Sequence, residues 1–400
     1  MKWRYYYPVI GLVFQLAIAA GSPPARAEGP ARPQASAEDE FLGSIQLRGG
    51  FDSNPDFAMG NAGTSLGGIN AAVIAGRTTE SYIAALSAEA SYTHYAKAID
   101  VPLSRYKAAF DIANKDQSEY SLKSTSSLAS FENYDTRSLD AIERVRLQKA
   151  SGSVQPFVTA EARYSELNES NLLLGKFLPE PERFLRGTII PGVAWKKDGV
   201  EIGASVNLSA TRYRDTYDYF GFRRDNERIE PFLFLRYNKD KFSLFASLSR
   251  LYGEWHDADF SNVRENLYEV ALTYGADPFG FEFSAKRAAA ETTFPISPIT
   301  IDTLYSGKVT RKLDARSRLA LFGSYIEKAY LDSPFKQRTM TYGMQLTHDV
   351  TDKISVGFEL ARSEMSPILG PNISGIAAIA SLTQRFGDKK RAEGEGRSAR

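Results

Sequence analysis

Residues 200–211 read VEIGASVNLSAT, a segment in which apolar and polar side chains alternate over the whole length. Successive side chains of a β-strand point to opposite faces, so the segment predicts a strand with one apolar and one polar face. The apolar face carries Val200, Ile202, Ala204, Val206, Leu208 and Ala210. Soluble β-sandwiches alternate in the same way, so the segment alone predicts a strand and not its surroundings.

Similar segments recur from about residue 41 to Phe386, joined alternately by a tight polar turn and a longer loop. This rhythm is typical of outer-membrane β-barrels, in which apolar faces meet lipid and polar faces line a lumen. Tight turns are predicted at 77–80, 114–117, 150–153, 197–199, 238–241, 275–279, 313–315 and 350–353. The sequence therefore predicts an all-β chain that forms a transmembrane, antiparallel, up-and-down β-barrel.

Eighteen strands are predicted, and an even number leaves both ends of the barrel in the periplasm. Their bounds are 41–52, 67–77, 80–94, 104–114, 117–130, 135–148, 151–165, 183–197, 199–212, 226–238, 240–253, 264–275, 278–290, 301–312, 315–327, 337–349, 352–364 and 374–386. The first hairpin, 41–52 with 67–77, is the least clearly marked, and without it the barrel would have sixteen strands. Either number closes the sheet around an aqueous channel.

The N-terminus has the features of a secretory signal peptide. Lys2 and Arg4 precede a short apolar segment, and Ala25-Arg26-Ala27 places small residues at the positions read by signal peptidase. We therefore divide the chain into a signal peptide (1–27), a flexible periplasmic linker (28–40), an outer-membrane barrel (41–386) and a disordered C-terminal tail (387–400). An N-terminal anchor helix and a tail that binds peptidoglycan or a partner are the alternatives.

The composition argues against several functional classes. The chain has no cysteine, and its formal net charge of +1 gives no reason to expect a nucleic-acid partner. The three histidines, His94, His256 and His348, show no spacing that suits a metal site or a catalytic constellation, so neither an enzyme nor a cofactor is predicted. The expected location is the bacterial outer membrane. Expected partners are outer-membrane lipid, lipopolysaccharide, the barrel assembly machinery and, as an open option, further copies of the chain.

The polar inner face carries most of the functional information. Assigned by alternation, it holds more basic than acidic side chains, and charges that line a wet lumen set ion selectivity. A basic excess favours anions, although pairing across strands and screening within about 8 Å at physiological salt oppose a strong preference. The predicted pore-lining residues are Arg144, Arg146, Arg163, Arg186, Lys196, Arg228, Arg236, Lys308, Lys312 and Arg318. The inner face also holds five phenylalanines. They are expected either to form aromatic platforms along the lumen or to plug the pore and pack against an inward loop, and they are Phe157, Phe232, Phe234, Phe245 and Phe322.

Two predicted loops carry candidate features. The longest, 166–182, contains three consecutive leucines and two prolines, and it is expected either to fold into the pore or to pack on its rim. Asp257 and Asp259 form a candidate Ca²⁺ site in another loop, because carboxylate oxygens are preferred ligands of calcium. Simple solvation of these carboxylates is the alternative.

Short motifs give the barrel a family resemblance. The sequence FDSNP (51–55) leaves the first strand, and RYRD (212–215) leaves a mid-chain strand. RDN (224–226) and REN (264–266) open two later strands. With these motifs the chain over 41–386 resembles the β-barrel porin 2 group of proteobacterial outer-membrane proteins. The resemblance implies a barrel that is sometimes linked to polysaccharide export, and it supplies no catalytic residues.

Three functions fit these observations. The leading hypothesis is a porin-like channel for passive diffusion of small hydrophilic, preferentially anionic, solutes. The second is an export barrel for an exopolysaccharide, which the aromatic residues of the inner face would favour. The third is a structural or adhesive barrel that presents its extracellular loops.

Overall fold

The computed structural model describes residues 40–54, 63–79, 81–96, 103–114, 119–133, 136–171, 176–295, 297–368 and 370–387. In these ranges the regular structure is β-strand, and no helix is long and apolar enough to cross a membrane. The predicted signal peptide, the linker up to residue 39 and the tail beyond Gly387 lie outside the described residues, whereas Glu40 already belongs to the first strand.

Nineteen strands are present in the described chain. They are β1 (Glu40–Asp52), β2 (Thr64–Thr78), β3 (Tyr82–Tyr95), β4 (Leu103–Asn114), β5 (Tyr120–Glu132), β6 (Thr136–Lys149), β7 (Val154–Asn171), β8 (Lys176–Phe177), β9 (Glu182–Lys197), β10 (Val200–Tyr213), β11 (Asn226–Lys239), β12 (Phe242–Trp255), β13 (Val263–Ala276), β14 (Phe279–Glu291), β15 (Ile299–Lys312), β16 (Ser317–Tyr330), β17 (Lys336–Asp349), β18 (Ile354–Ser366) and β19 (Ile373–Phe386). Each of the eighteen predicted strands overlaps one of the long strands.

The eighteen long strands form one closed antiparallel barrel. Each pairs with the next along the chain, and β1 closes the ring by pairing with β19, where Gly43 lies opposite Phe386. The two-residue β8 pairs with the end of β7, which itself pairs with β9. Closure leaves no strand unpaired along a whole side, which is the condition for a β-sheet to cross a bilayer. The predicted count of eighteen is confirmed, and the alternative of sixteen is wrong.

The outer surface of the barrel is apolar. On β10, Ile202 and Leu208 are exposed, whereas Ser205 and Thr211 of the opposite face are buried. Large side chains such as Leu233 stand outside with more than half of their surface exposed. A sheet that turns its apolar face outward suits a hydrocarbon environment and not water. The alternation in the sequence therefore places apolar side chains toward lipid and polar side chains toward the lumen, as in a membrane barrel. The chain is a β-barrel of the bacterial outer membrane.

The assignment of faces can be tested with single cysteines, because the chain has none of its own. On β19, Ala380 pairs with outward-facing Phe358 of β18, and the next residue, Ser381, points to the lumen. In outer membranes we expect a charged, water-soluble maleimide to label Ser381→Cys and to leave Ala380→Cys unlabelled, because water reaches the lumen and lipid covers the outer face. Equal labelling of the two variants, or the reverse order, would contradict the assignment.

Candidate functional site: a constricted lumen

The seam between β13 and β14 opens at the extracellular end of the barrel. β13 and β14 are paired from the periplasmic turn only as far as Tyr268 and Arg287, so residues 263–267 of β13 have no partner on β14. β14 and β15 stay paired up to Glu291 and Ile299, and β15 stays paired with β16 up to Thr300 and Tyr330. Beyond Arg287 the β14–β15 hairpin, still joined to β16, therefore curls into the lumen.

The outward face of this hairpin packs on the inner face of the barrel wall. Ile299 and Ile301 would face lipid if the hairpin stayed in the wall. Instead they are 0% and 3% exposed, and they belong to one buried cluster with Leu251, Val263 and Leu267 of β12 and β13. Burial of a side chain of this size stabilises a protein by about 1.5–3 kcal/mol. The apolar cluster therefore holds the hairpin inside the barrel.

A buried ionic cluster fixes the end of β14. The Glu291 carboxylate pairs with the Arg186 guanidinium of β9, and Arg228 Nη2 of β11 lies 2.7 Å from Glu291 Oε1. The Tyr213 hydroxyl donates to Glu291 Oε2 at 3.2 Å. All three charged side chains are less than a tenth exposed. Charges in such surroundings are tolerated only when they are paired, so the three side chains depend on one another.

The segment that follows β14, described at residues 292–295 and 297–298, is held through its backbone. The Arg224 guanidinium, from the loop between β10 and β11, donates to the carbonyl oxygens of Thr292 and Phe294 at 2.8 Å and of Ser297 at 3.3 Å. Its charge is balanced by Asp218, whose Oδ2 lies 2.7 Å from Arg224 Nε. One buried arginine thus orders a short segment that has no backbone ladder of its own.

Contacts to the same segment span the lumen. Glu169 of β7 accepts hydrogen bonds from Thr292 Oγ1 at 2.6 Å and from the Thr293 backbone N–H at 2.8 Å. The same carboxylate pairs with Lys328 of β16. β7 and β16 lie on opposite sides of the ring, with seven strands between them one way and nine the other. The described part of the extracellular mouth is therefore crossed by a connected set of side chains.

The sequence leaves open whether loop 166–182 folds into the pore or packs on its rim, and its three leucines, 172–174, lie outside the described residues. The predicted loop 166–182 does not begin at Glu166, because β7 continues to Asn171. The Asn168 side chain then binds the segment that leads back to β9. It donates a hydrogen bond to Leu178 O at 3.0 Å and accepts one from Leu178 N at 3.1 Å. The inward segment comprises residues 292–295 and 297–298, which sequence reasoning missed because it is short. A signal was available, since the charged residues Arg287 and Glu291 interrupt the outward face of β14 at its extracellular end.

The predicted pore-lining residues lie on the inner faces of their strands, and most of them are paired. The ion pairs are Arg144 with Glu161, Arg163 with Asp140 at 2.6 Å, Arg236 with Glu201 at 3.3 Å, Arg318 with Asp349 at 2.6 Å and Lys312 with Asp277 at 2.9 Å. Arg186 and Arg228 are only 7% and 6% exposed, because the inward hairpin covers them. They hold the constriction in place, and the role of the ten residues as pore lining stays a prediction.

The remaining three predicted residues take different neighbours. The Arg146 guanidinium carbon lies 4.0 Å from the ring centre of Phe157, a cation–π contact. Lys196 stands across from Glu201 on the adjacent strand, and Lys308 stands across from Phe322. The basic excess of the inner face is thus balanced in large part by neighbouring acids and aromatic rings.

Four phenylalanines form an aromatic patch on the inner wall. Phe157 and Phe234 are buried, and Phe232 and Phe245 pack against them. The guanidinium of Arg236 lies 5.5 and 5.7 Å from the ring centres of Phe234 and Phe245. Phe157 and Phe234 are thus covered by their neighbours, and of the four rings only those of Phe232 and Phe245 are partly exposed beside the charged pair.

Glycines of the neighbouring strands make room for this patch. A Cβ atom on Gly192 would lie 2.7 Å from Ser205 Oγ and would overlap the ring of Phe157. A Cβ atom on Gly203 would overlap the ring of Phe234 in the same way. The rings therefore lie flat along the wall instead of projecting across the lumen.

The candidate cation loop is stabilised by its own hydrogen bonds. Asp257 accepts from the backbone N–H of Arg223 at 2.6 Å and from that of Asp259 at 3.0 Å. The adjacent His256 pairs with Glu227 at 2.7 Å. Among the described residues no cluster of three or more His, Asp or Glu side chains could hold a metal ion. The Asp257 and Asp259 site stays a prediction.

No protein-family model matches the sequence, and no curated protein is similar to it. Several solved structures of outer-membrane barrels are similar in fold. OpdQ of Pseudomonas aeruginosa matches at 10% identity and a TM-score of 0.42, over 87% of this chain and 99% of that one. A BenF-like porin of Pseudomonas fluorescens matches at 7% and 0.45, over 87% and 99%. The siderophore receptor PirA of P. aeruginosa matches at 9% and 0.42, over 88% and 81%. Values this low assign no function, so the barrel is argued from its own topology.

Substitution of Glu291 tests the ionic cluster. We expect Glu291→Gln to lower the free energy of unfolding by about 3–5 kcal/mol, because two buried guanidinium groups lose their counter-charge. The measurement is urea unfolding of the refolded barrel in detergent micelles. The matched control is Glu132→Gln, which breaks the exposed pair with Arg137 and is expected to cost less than about 1 kcal/mol. An equally small effect of Glu291→Gln would contradict the role given to it.

Proposed function

We propose that this barrel is a porin-like channel of the outer membrane for passive diffusion of small hydrophilic solutes, narrowed at its extracellular mouth. The observation that carries the proposal is the polar inner face of a closed eighteen-stranded ring, because a barrel of this size encloses an aqueous channel. The resemblance to the β-barrel porin 2 group agrees with it. Under this proposal the inward hairpin sets an upper limit on solute size.

The lumen favours anions weakly under this proposal. The sequence assigns more basic than acidic side chains to the inner face, but the structure adds inner-face acids such as Glu169 and Asp349, and ion pairs such as Arg144–Glu161 and Arg163–Asp140 cancel much of the field. Paired charges line a channel with hydrogen-bond donors and acceptors while adding little net potential. The proposed solutes are therefore small and hydrophilic, with a modest preference for negative charge.

Export of an exopolysaccharide is the second candidate. The partly exposed rings of Phe232 and Phe245 favour it, because sugar rings stack on aromatic faces and their hydroxyls bond to neighbouring charged groups. The two candidates differ in the expected effect of added oligosaccharides on ion flow. Long neutral oligosaccharides should block the current of an export barrel and leave a diffusion channel for small solutes largely unaffected.

Planar-bilayer conductance of the refolded mature chain in KCl tests the proposal. We expect steady conductance steps and a reversal potential with a mild anion preference under a salt gradient. Lys308→Gln should shift the reversal potential toward cations, because it removes a positive charge from the lumen, whereas Arg338→Gln on the outer rim should leave it unchanged.

Replacement of residues 292–298 by two glycines should raise the conductance, because it shortens the constriction.

Two results would contradict the channel. Absence of conductance from a barrel shown to be folded by its heat-modifiable migration would exclude passive diffusion. An unchanged conductance after shortening of residues 292–298 would mean that this segment does not limit flow.

A further inference from the structure

The two arginines that meet Glu291 are oriented by residues of the wall strands. Arg186, Thr211 and Asn226 stand directly across from one another in a row over β9, β10 and β11. Thr211 Oγ1 accepts from Arg186 Nε at 2.9 Å, and Asn226 Oδ1 accepts from Arg228 Nε at 2.9 Å. Thr211 and Asn226 are fully buried. The wall thus fixes each guanidinium through its Nε, while the Nη2 atom of each meets the Glu291 carboxylate.

Aromatic rings of the wall support the same donors. The Arg228 guanidinium carbon lies 5.2 Å from the ring centre of Trp255 on β12, and that of Arg186 lies 5.8 Å from the ring centre of Phe184 on β9. The rings of Phe184 and Tyr213 pack with their centres 5.1 Å apart. Contacts between cations and aromatic faces add to the fixed orientation of the guanidinium groups. The donors of Arg186, Arg228 and Tyr213 are therefore held together by contacts within β9–β12.

The three donors converge on one carboxylate. Oε1 of Glu291 meets both guanidinium groups, and Oε2 accepts from the Tyr213 hydroxyl at 3.2 Å. Charge-assisted bonds from guanidinium groups are among the strongest that a carboxylate forms. Glu291 itself ends β14, which has no partner on β13 beyond Arg287. On that side the carboxylate is thus held by the three donors and not by a backbone ladder.

We propose that Arg186, Arg228 and Tyr213 form a binding site for the carboxylate group of a solute at the extracellular mouth, and that Glu291 fills this site as a tethered carboxylate. The bound side chain shows the chemistry of the guest, because its carboxylate takes all three donors. A tethered group competes at a high effective concentration, so a free carboxylate takes the site when Glu291 is removed. Use of the site by permeating solutes rests on the proposed channel, whereas binding itself does not.

Acetate tests the site in the variant Glu291→Ala, because acetate is the free ion that matches the deleted part of the side chain. The measurement is the urea midpoint of the refolded barrel in detergent micelles at neutral pH, in sodium acetate and in sodium chloride of equal ionic strength. We expect the midpoint of Glu291→Ala to rise with acetate concentration and to saturate, because a ligand of the folded state stabilises it by mass action. The wild type should show no such rise, since Glu291 fills the site.

Two further variants locate the binding. Arg228→Gln added to Glu291→Ala should raise the dissociation constant of acetate at least about tenfold, because one charged donor is lost. The matched control is Glu161→Ala, which removes the carboxylate paired with the single guanidinium of Arg144. It should show no acetate-dependent rise, because one guanidinium does not reproduce the three-donor set.

A rise that is confined to Glu291→Ala and weakened by Arg228→Gln would support the proposal. No rise in a barrel shown to be folded by heat-modifiable migration would overturn it, and so would an equal rise in chloride or in Glu161→Ala. If Glu291→Ala folds too poorly in chloride, its refolding yield in acetate against chloride reports the same binding. Acetate-dependent unfolding without conductance would contradict the channel alone, whereas conductance without an acetate effect would overturn only this site.

Discussion

The need to satisfy backbone hydrogen bonds inside a bilayer governs this structure. Lipid offers no partner to an N–H or C=O group, so the sheet must close on itself, and β1 meets β19 to complete the ring. The ladder is relaxed at one seam, where β14 leaves β13 beyond Arg287. There the apolar cluster around Ile299 and the hydrogen bonds of Arg224 replace what the missing ladder would have supplied. The constriction is thus a local departure from closure, and the continuous pairing of the other strands keeps the barrel closed around it.

Strand positions could be predicted from the sequence because alternation is a local property. Apolar and polar side chains alternate without exception over residues 200–211, and this segment forms β10 with the expected faces. The same alternation places Arg144, Arg163 and Arg236 on the inner face. Their partners follow nearly as directly, since antiparallel neighbours are adjacent along the chain.

The constriction could not be predicted in this way. Arg186 and Glu291 are 105 residues apart, and Glu169 and Lys328 are 159 apart, so no local pattern connects them. The long leucine-containing loop drew attention through its composition, whereas the inward segment is short and owes its position to Arg224 on a distant loop.

A cross-linking measurement tests most directly whether the hairpin crosses the lumen. Glu169→Cys with Thr293→Cys, in a chain without other cysteines, should be joined in native membranes by a short bifunctional thiol reagent, because the Glu169 carboxylate contacts the Thr293 N–H. If β14 instead stayed in the wall, the two positions would be separated by six strand spacings of about 4.8 Å each along the ring. Efficient cross-linking is the predicted result. Failure of the folded barrel to cross-link would contradict the inward hairpin.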